Sequence, residues 1–350
     1  MKTVGVNASK KYDVLIGAGL LDRAGEHVRS AAGGDIAAVV TDDIVAGLYL
    51  RRLLQTLSAA GYKTVIFTIN NGEASKSVYT YIRLLDFLAD NKLSRSDVVI
   101  ALGGGVVGDL AGFAAATYMR GIPYVQIPTT LLAAVDSSVG GKTAINLDTG
   151  KNLAGAFYQP DLVICDYVLI EKLPPHIFLD GCAEVIKYGM IADDELFGIL
   201  DGYPLLDLEE IITRCVTIKR DIVLEDEFET GKRMLLNFGH TVGHAVELLS
   251  DYTISHGKAV AIGMAVETLA AVKIGMCGEE CYRRLAGLLQ KYGIPNNTSY
   301  GPYELSRAAF SDKKRRGGMI TLIVPKRIGE CVLLEIESDD LRGVIELGLG

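Results

Sequence analysis

Tryptophan is absent from this sequence, proline and histidine are scarce, and basic residues do not outnumber acidic ones. Only nine of the 350 residues are proline and 49% are hydrophobic, which argues against a disordered or fibrous chain. The 43 acidic and 35 basic residues give a formal net charge of −8. That balance argues against a basic surface for nucleic acid across the whole fold, but it leaves room for one basic pocket.

The sequence also lacks a long apolar run. The longest nearly apolar stretch, residues 98–108, contains glycines and stops at Asp109, well short of the roughly 20 residues of a membrane span. No apolar region follows the Met1 start, so no secretory signal is predicted. The six cysteines include no C-x-x-C pair, and we expect them to be reduced and mostly buried. We therefore predict a cytoplasmic protein without a membrane or nucleic-acid partner.

The length of the chain, 350 residues, indicates two domains, since single cores rarely grow past about 250–300 residues. Short apolar runs of strand length alternate with helical patterns at 45–60 and 78–91. The runs lie at 14–16, 36–40, 64–67, 98–102, 124–127 and 162–165. This alternation predicts a mostly parallel sheet covered on both faces, with its ligand site beyond the carboxyl ends of the strands.

The pattern changes after Pro174 and Pro175. From residue 178 to about 293 nearly every window has helical spacing, and two strand-like runs follow at 319–324 and 332–336. We therefore predict an α/β domain over residues 1–175 and a mainly α-helical domain over 176–350. The active site is expected in the cleft between them.

Residues 103–109, GGGVVGD, follow a predicted strand and open a predicted helix. They satisfy G-x-G-x-x-G, in which bare amides at a helix N-terminus can approach a pyrophosphate. The alternative is a tight turn that simply requires glycine. The usual acidic residue about 20 positions downstream is missing, and Asp42, at the end of an earlier predicted strand, is the candidate for the ribose instead.

Two lysines lie on stretches of small residues that we interpret as loops. Lys142 follows a glycine pair in a block that starts at Asp136, and Lys151 lies nine residues further on. The first block lacks the spacing of a P-loop. Both lysines suit a phosphate or carboxylate ligand, and the alternative is a pair of solvated loop lysines.

Arg233, Asn237, His240 and His244 are spaced by four, three and four positions. A single helix would therefore carry all four side chains on one face. Such a polar stripe is costly to bury unless it binds a ligand or a metal. The alternative is an exposed polar face with two incidental histidines.

His256 and Glu184 complete a donor set that suits a divalent metal. One carboxylate and two imidazoles leave coordination positions open for a substrate. Spacing alone favours His240 and His244 as the ligating pair, and it cannot decide which two of the three histidines bind. Lys187 lies one turn after Glu184 on the same predicted helix face.

With these residues in place, the chain resembles the 3-dehydroquinate synthase family over nearly its whole length. The resemblance rests on many ordered blocks rather than on one motif. These are Asn71–Lys76, Gly103–Asp109, Tyr118–Gly121, Pro128–Thr130, Asp136–Asn146, Gly150–Asn152, Gly181–Lys187, Arg233–His244 and His256–Gly257. One departure is Asn71, where the family usually has aspartate.

The resemblance implies a Rossmann-like NAD-binding α/β domain followed by a mainly α-helical metal-binding domain. It implies one divalent metal, Zn²⁺ or Co²⁺, held by Glu184, His240 and His256, which frees His244 for the substrate. The residues implied for NAD⁺ are Asp42, Glu73, Lys76, Gly105, Val106, Val107, Gly108, Asp109, Thr129 and Thr130, together with Lys142 and Lys151.

The substrate residues implied by the resemblance form a basic and amide-rich set. They are Arg120, Lys142, Lys151, Asn152, Lys187, Lys219, Arg233, Asn237, His244 and Lys313, with Lys314 as the alternative to Lys313. The residues implied to carry the chemistry are Asp136, Lys142, Lys187, Lys219, Arg233, Asn237 and His244.

The implied substrate is a small phosphorylated keto-acid sugar, 3-deoxy-D-arabino-heptulosonate 7-phosphate. The implied sequence is transient oxidation at C5 by NAD⁺, β-elimination of phosphate, re-reduction, ring opening and an intramolecular aldol closure to 3-dehydroquinate. The enzyme would therefore be a carbon–oxygen lyase without net redox change. The resemblance also implies a homodimer in which Arg120 reaches a phosphate across the interface.

Three alternatives remain at this point. Another sugar-phosphate cyclase on the same scaffold is the nearest. A metal-dependent polyol dehydrogenase would need no phosphate-binding residues, so Lys142, Asn152, Arg233 and Asn237 argue against it. A non-catalytic NAD-binding protein would need neither the metal set nor His244.

Overall fold

The computed structural model describes residues 1–202, 207–311 and 318–350, and the chain groups into two compact units. The first contains Met1–Pro174 and Ile212–Glu227, and the second contains Pro175–Ile211 and Phe228–Gly350. The first stretch ends within one residue of the predicted boundary. The prediction that 176–350 forms one domain is corrected by residues 212–227, which group with the first unit. Helical spacing indicates that one face is buried, but it does not indicate which core buries that face.

The first unit alternates strands and helices, as its sequence pattern predicts. Its strands are β1 (Lys2–Asn7), β2 (Lys11–Gly17), β3 (Ile36–Asp42), β4 (Lys63–Ile69), β5 (Val98–Gly103), β6 (Tyr124–Pro128), β7 (Lys142–Leu147), β8 (Gly150–Phe157) and β9 (Leu162–Asp166). Its helices before residue 175 are α1 (Ala24–Ala31), α2 (Asp43–Val45), α3 (Arg51–Ala59), α4 (Val78–Asp90), α5 (Gly105–Thr117) and α6 (Tyr167–Ile170).

Seven strands form one sheet in the order β1-β2-β9-β6-β5-β3-β4. All neighbours are parallel except β1 and β2. Every residue of β5 is buried, because apolar layers cover the sheet on both faces. The order β4-β3-β5-β6-β9 is a doubly wound arrangement, and its topological switch point lies between β3 and β5.

The second unit is mainly helical. Its elements are α7 (Pro175–Ala192), α8 (Asp194–Asp201), the start of α9 (Leu208–Glu225), α10 (His240–Leu249), α11 (His256–Lys273), α12 (Glu279–Lys291), α13 (Pro302–Ser311), the antiparallel strands β10 (Met319–Arg327) and β11 (Glu330–Glu337), and α14 (Leu341–Leu349). Thirteen of the 18 residues of α11 are buried, so this helix forms the centre of the unit's core. Within the described ranges, every helix is too short or too polar to cross a lipid bilayer.

Candidate functional site

The glycine-rich turn of the first unit has the predicted strand–turn–helix geometry. Gly103 ends β5, Gly104 is the N-cap of α5, and Gly105 is its first residue. Space around the turn is limited, since a Cβ on Gly104 would lie 3.3 Å from Thr130 Cγ2 and one on Gly105 would lie 3.3 Å from Ser137 Oγ. The turn therefore presents bare backbone amides and the positive end of a 13-residue helix.

The surroundings of this turn fit a dinucleotide. Asp42 ends β3, the strand that pairs with β5 across the switch point. Its carboxylate accepts a hydrogen bond from Val45 N–H at 2.8 Å, and burial raises its pKa despite that bond. The hydroxyls of Thr129 and Ser137 are buried without a hydrogen-bond partner among the described residues. Unsatisfied hydroxyls beside a bare helix N-terminus are the groups that a bound phosphate ester could satisfy.

A polar network joins further predicted residues of the first unit. Lys76, only 5% exposed, forms an ion pair with Asp109 and donates to Asn152 Oδ1 at 2.5 Å. Burial raises the pKa of Asp109, and the charge of Lys76 opposes that shift. Glu73 accepts a hydrogen bond from Asn146 at 2.7 Å, and Asn146 is a residue to which the sequence assigns no role.

Lys142 and Lys151 lie on β7 and β8, which form an antiparallel hairpin. Their predicted loop setting is therefore wrong, because the small residues around them pair as strands. Lys142 is exposed, whereas Lys151 is partly buried. Lys219 on α9 donates to the backbone and side-chain oxygens of Asp136 at 2.7 and 2.5 Å, so these two predicted catalytic residues are in contact. Arg120 is exposed and has a left-handed φ of 67°.

Three helices of the second unit bring the predicted metal donors together. Glu184 lies on α7, His240 begins α10 and His256 begins α11. Their donor atoms lie within 4.8 Å of one another. Glu184 Oε1 is 3.4 Å from His256 Nε2 and 3.9 Å from His240 Nε2. A tetrahedral zinc site places its ligand atoms roughly 3.4 Å apart, so this set fits a metal.

The other imidazole nitrogens have their own partners. His240 Nδ1 is 3.1 Å from the Phe238 carbonyl oxygen, and His256 Nδ1 is 3.3 Å from Glu247 Oε2. These contacts fix both rings with Nε2 toward Glu184, as metal-ligating histidines require. Burial lowers the pKa of His256, but the Glu184 and Glu247 carboxylates outweigh it and raise that pKa to about 10. The electrostatic field here therefore favours a positive charge.

His244, Glu247 and His256 form a second set with metal-ligand spacing. The His244 ring lies 5.3 Å from that of His240 and 6.1 Å from that of His256, between ring centroids. Lys187, only 1% exposed, forms an ion pair with Glu184 one turn before it on α7.

A continuous helix over residues 233–244 is not observed, which corrects that prediction. Residues 232–237 form a 3₁₀ helix, and α10 begins at His240. Gly239, between them, has a left-handed φ of 78°, and a Cβ there would lie 2.6 Å from the Val260 carbonyl oxygen. Close packing against α11 thus requires this glycine, and an α-helix cannot pass through its conformation. Arg233 is fully buried and Asn237 is partly buried.

Sequence reasoning missed three carboxylates around these groups. Glu247 contacts His256, Glu267 accepts a hydrogen bond from Gly239 N–H at 2.8 Å, and Glu229 accepts one from Asn237 Nδ2 at 2.6 Å. Glu247 and Glu267 are 4% and 2% exposed, and a glutamate in an otherwise apolar helical stripe is the signal that could have identified them. Lys313 and Lys314 lie outside the described residues.

Comparison with known proteins assigns the chain to a family. The profile described as 3-dehydroquinate synthase N-terminal matches residues 66–180, and its C-terminal counterpart matches residues 181–315. A 3-dehydroquinate synthase from Enterococcus faecalis is 44% identical over 352 aligned residues, which cover 99% of this chain and 98% of that protein. The chain belongs to the 3-dehydroquinate synthase family. The predicted family and fold class are thereby confirmed.

Solved structures similar to this 3-dehydroquinate synthase family member include other cyclases. A 2-deoxy-scyllo-inosose synthase complexed with carbaglucose-6-phosphate, NAD⁺ and Co²⁺ has a TM-score of 0.89 and 26% identity, with 99% of each chain covered. A 2-epi-5-epi-valiolone synthase from Streptomyces hygroscopicus, with NAD⁺ and Zn²⁺ bound, has a TM-score of 0.87 and 27% identity over 98% of each chain.

Proposed function

We propose that this chain catalyses the 3-dehydroquinate synthase reaction. It converts 3-deoxy-D-arabino-heptulosonate 7-phosphate to 3-dehydroquinate and inorganic phosphate, in the shikimate route to aromatic amino acids. The observation that carries the proposal is 44% identity to a 3-dehydroquinate synthase over 99% of the chain, which includes both units. The reaction class is a carbon–oxygen lyase, because phosphate leaves by elimination and no net oxidation occurs.

The residues assigned to cofactor and metal lie in different units. In the first unit, the turn at Gly103–Gly105, Asp42, Glu73 and Lys76 would hold NAD⁺, which the similar cyclase structures contain. In the second unit, Glu184, His240 and His256 would hold Zn²⁺ or Co²⁺. When bound, NAD⁺ supplies reversible hydride transfer and the metal supplies Lewis acidity toward substrate oxygens.

The chain's own side chains bind and orient the anionic ends of the substrate. Lys142, Asn152, Arg233, Asn237 and His244 hold the phosphate and stabilise its negative charge as it leaves. A buried arginine such as Arg233 suits this task, since its guanidinium stays charged and can form two parallel hydrogen bonds to an anion.

The substrate carboxylate is assigned to Lys219, Arg233 and Lys313. Asp136 fixes the Lys219 ammonium through two contacts, which limits its motion before substrate binds. Lys187 pairs with Glu184 and so connects the substrate residues to the metal donors. A proton acceptor for the elimination is provided by the departing phosphate oxygen itself.

The remaining features of the proposal concern assembly and location. The enzyme is a cytoplasmic homodimer, and Arg120 of one copy reaches the phosphate bound by the other. The Arg120 side chain is exposed and its backbone is left-handed, which supports a role in contacting another copy of the chain rather than in packing the core.

One assay tests the reaction. Purified protein is incubated with the heptulosonate phosphate, catalytic NAD⁺ and Zn²⁺ or Co²⁺, and inorganic phosphate and NADH are followed together. We expect stoichiometric phosphate without accumulated NADH. Stoichiometric NADH from a polyol contradicts the proposal, and phosphate release from sedoheptulose 7-phosphate alone favours a different cyclase.

A further inference from the structure

Asn146 lies at a break in the regular pairing of the β7–β8 hairpin. The pairing of the two strands shifts register between Ile145 and Leu147, so Asn146 is left out of the regular ladder. Its backbone N–H donates instead to the Lys76 carbonyl oxygen at 2.8 Å, and it forms an isolated parallel bridge with Ser77. At this break one residue of β7 faces three of β8, so the Asn146 backbone bonds to a neighbouring segment rather than to the partner strand.

The Asn146 side chain uses both ends of its amide. Its Nδ2 donates to Glu73 Oε1 at 2.7 Å, and its Oδ1 accepts from the Asn152 backbone N–H at 2.9 Å. A carboxylate at this position could accept but not donate, and an alanine could do neither. An asparagine is therefore matched to these two neighbours.

These bonds are part of a closed polar circuit within the first unit. Asn152 has a left-handed φ of 55°, and its Oδ1 accepts from Lys76 Nζ. Lys76 forms an ion pair with Asp109 and, through its carbonyl oxygen, holds the Asn146 backbone. A left-handed non-glycine residue carries a conformational cost, so the hydrogen bond that the Asn152 backbone N–H donates to Asn146 Oδ1 helps to keep Asn152 in place.

We propose that Asn146 is a positioning residue that couples NAD⁺ binding to phosphate binding. This inference rests on the proposed function, which assigns Glu73 and Lys76 to NAD⁺ and Asn152 to the phosphate. Through Asn146, ordering of Glu73 by NAD⁺ also fixes the Asn152 backbone, and ordering of Asn152 by phosphate fixes Glu73. Such coupling is reciprocal, so each ligand strengthens the binding of the other by the same factor.

Isothermal titration calorimetry of the full-length, metal-loaded protein tests the coupling. The NAD⁺ dissociation constant is measured with and without saturating inorganic phosphate. For the unmodified protein we expect phosphate to lower it about fivefold or more, the usual lower bound for coupled sites. For Asn146→Ala we expect weaker NAD⁺ binding and a coupling factor close to one.

Asn146→Asp separates positioning from simple space filling. This variant has nearly the same shape and keeps the acceptor for Asn152, but it places a second carboxylate beside Glu73. A positioning role makes it at least as damaging to NAD⁺ binding as Asn146→Ala, whereas a space-filling role makes it milder. Asn91→Ala is the matched control, since Asn91 Nδ2 donates to the Phe87 carbonyl oxygen elsewhere in the same unit and should not affect either ligand.

The proposal is overturned if phosphate leaves NAD⁺ binding by the unmodified protein unchanged, or if Asn146→Ala retains the full coupling factor. If the alanine variant does not fold, the aspartate variant carries the same comparison. Failure of the proposed function is a separate result. A protein that shows the coupling but releases no phosphate from the heptulosonate phosphate contradicts that function and supports the role of Asn146.

Discussion

Backbone amides at the end of β5 form the centre of the predicted cofactor site in the first unit, whereas side chains from three helices form the predicted metal site of the second. The turn at Gly103–Gly105 consists of three glycines, and the absence of side chains leaves its backbone amides accessible to a ligand. The cluster of Glu184, His240 and His256 depends on three specific donor groups. The first site should therefore be sensitive to added atoms, and the second to removed ones.

The strongest test of this contrast removes one imidazole from the second unit. His240→Ala deletes a donor of the three-residue set, so we expect loss of bound metal and of all measurable activity. His244→Ala should retain metal but lose activity, because it leaves Glu184, His240 and His256 in place. Metal content after gel filtration and phosphate release are measured for both variants.

A second donor set in the structure defines the result that would contradict this prediction. His244, Glu247 and His256 form a competing donor set. If His244→Ala empties the site while His240→Ala keeps its metal, the competing set is the true one and our ligand assignment is reversed.

The sequence predicts the glycine turn better than the metal cluster, and the reason is physical. The glycine turn is local, and the buried strand β5 before it is marked by its apolar composition alone. The metal cluster joins residues from α7, α10 and α11, and spacing along one helix cannot show which histidines meet Glu184. Family resemblance, not spacing, selected His256 over His244.

The mistaken predictions also have local causes. Residues 233–244 satisfy helical spacing, but packing against α11 forces Gly239 into the left-handed region and ends the pattern there. The strands of the β7–β8 hairpin are half-exposed and rich in small residues, so their sequence has the composition of loops. In both places tertiary contacts, which a sequence window does not contain, override the local pattern.

A smaller effect is expected from a residue that only orients a metal donor. Glu247→Gln keeps the shape of the side chain but removes the charge beside His256 Nδ1. Loss of such an outer partner weakens metal binding about 10- to 100-fold. Competition with a chromophoric chelator measures the change in metal affinity.

Glu280→Gln provides the control for that variant. Glu280 is an exposed carboxylate on α12 that pairs with Arg283, and its neutralisation should leave metal affinity unchanged. Equal metal affinity for Glu247→Gln and the unmodified protein would show that the charge of Glu247 does not strengthen metal binding through His256.

The smallest effect is expected from adding a methyl group to the glycine turn of the first unit. In Gly105→Ala the new methyl group meets only Ser137, at 3.3 Å from its hydroxyl oxygen, and that flexible side chain can rotate away. We expect the free energy of unfolding to change by less than about 1 kcal/mol. NAD⁺ binding should weaken about fivefold, or ~1 kcal/mol, because the methyl group obstructs close approach to the amides. Chemical denaturation and calorimetric titration of NAD⁺ measure the two quantities.

Gly287→Ala separates this effect from a general response to adding a methyl group in a helix. Gly287 lies within α12, and its added Cβ meets nothing within 4 Å. That variant should be stabilised by about 0.5–1 kcal/mol through helix propensity and should bind NAD⁺ normally. Unchanged NAD⁺ affinity in Gly105→Ala would mean that the turn shapes the fold without touching the cofactor. The contrast between a site made of bare backbone and one made of side chains would then be wrong for the first unit.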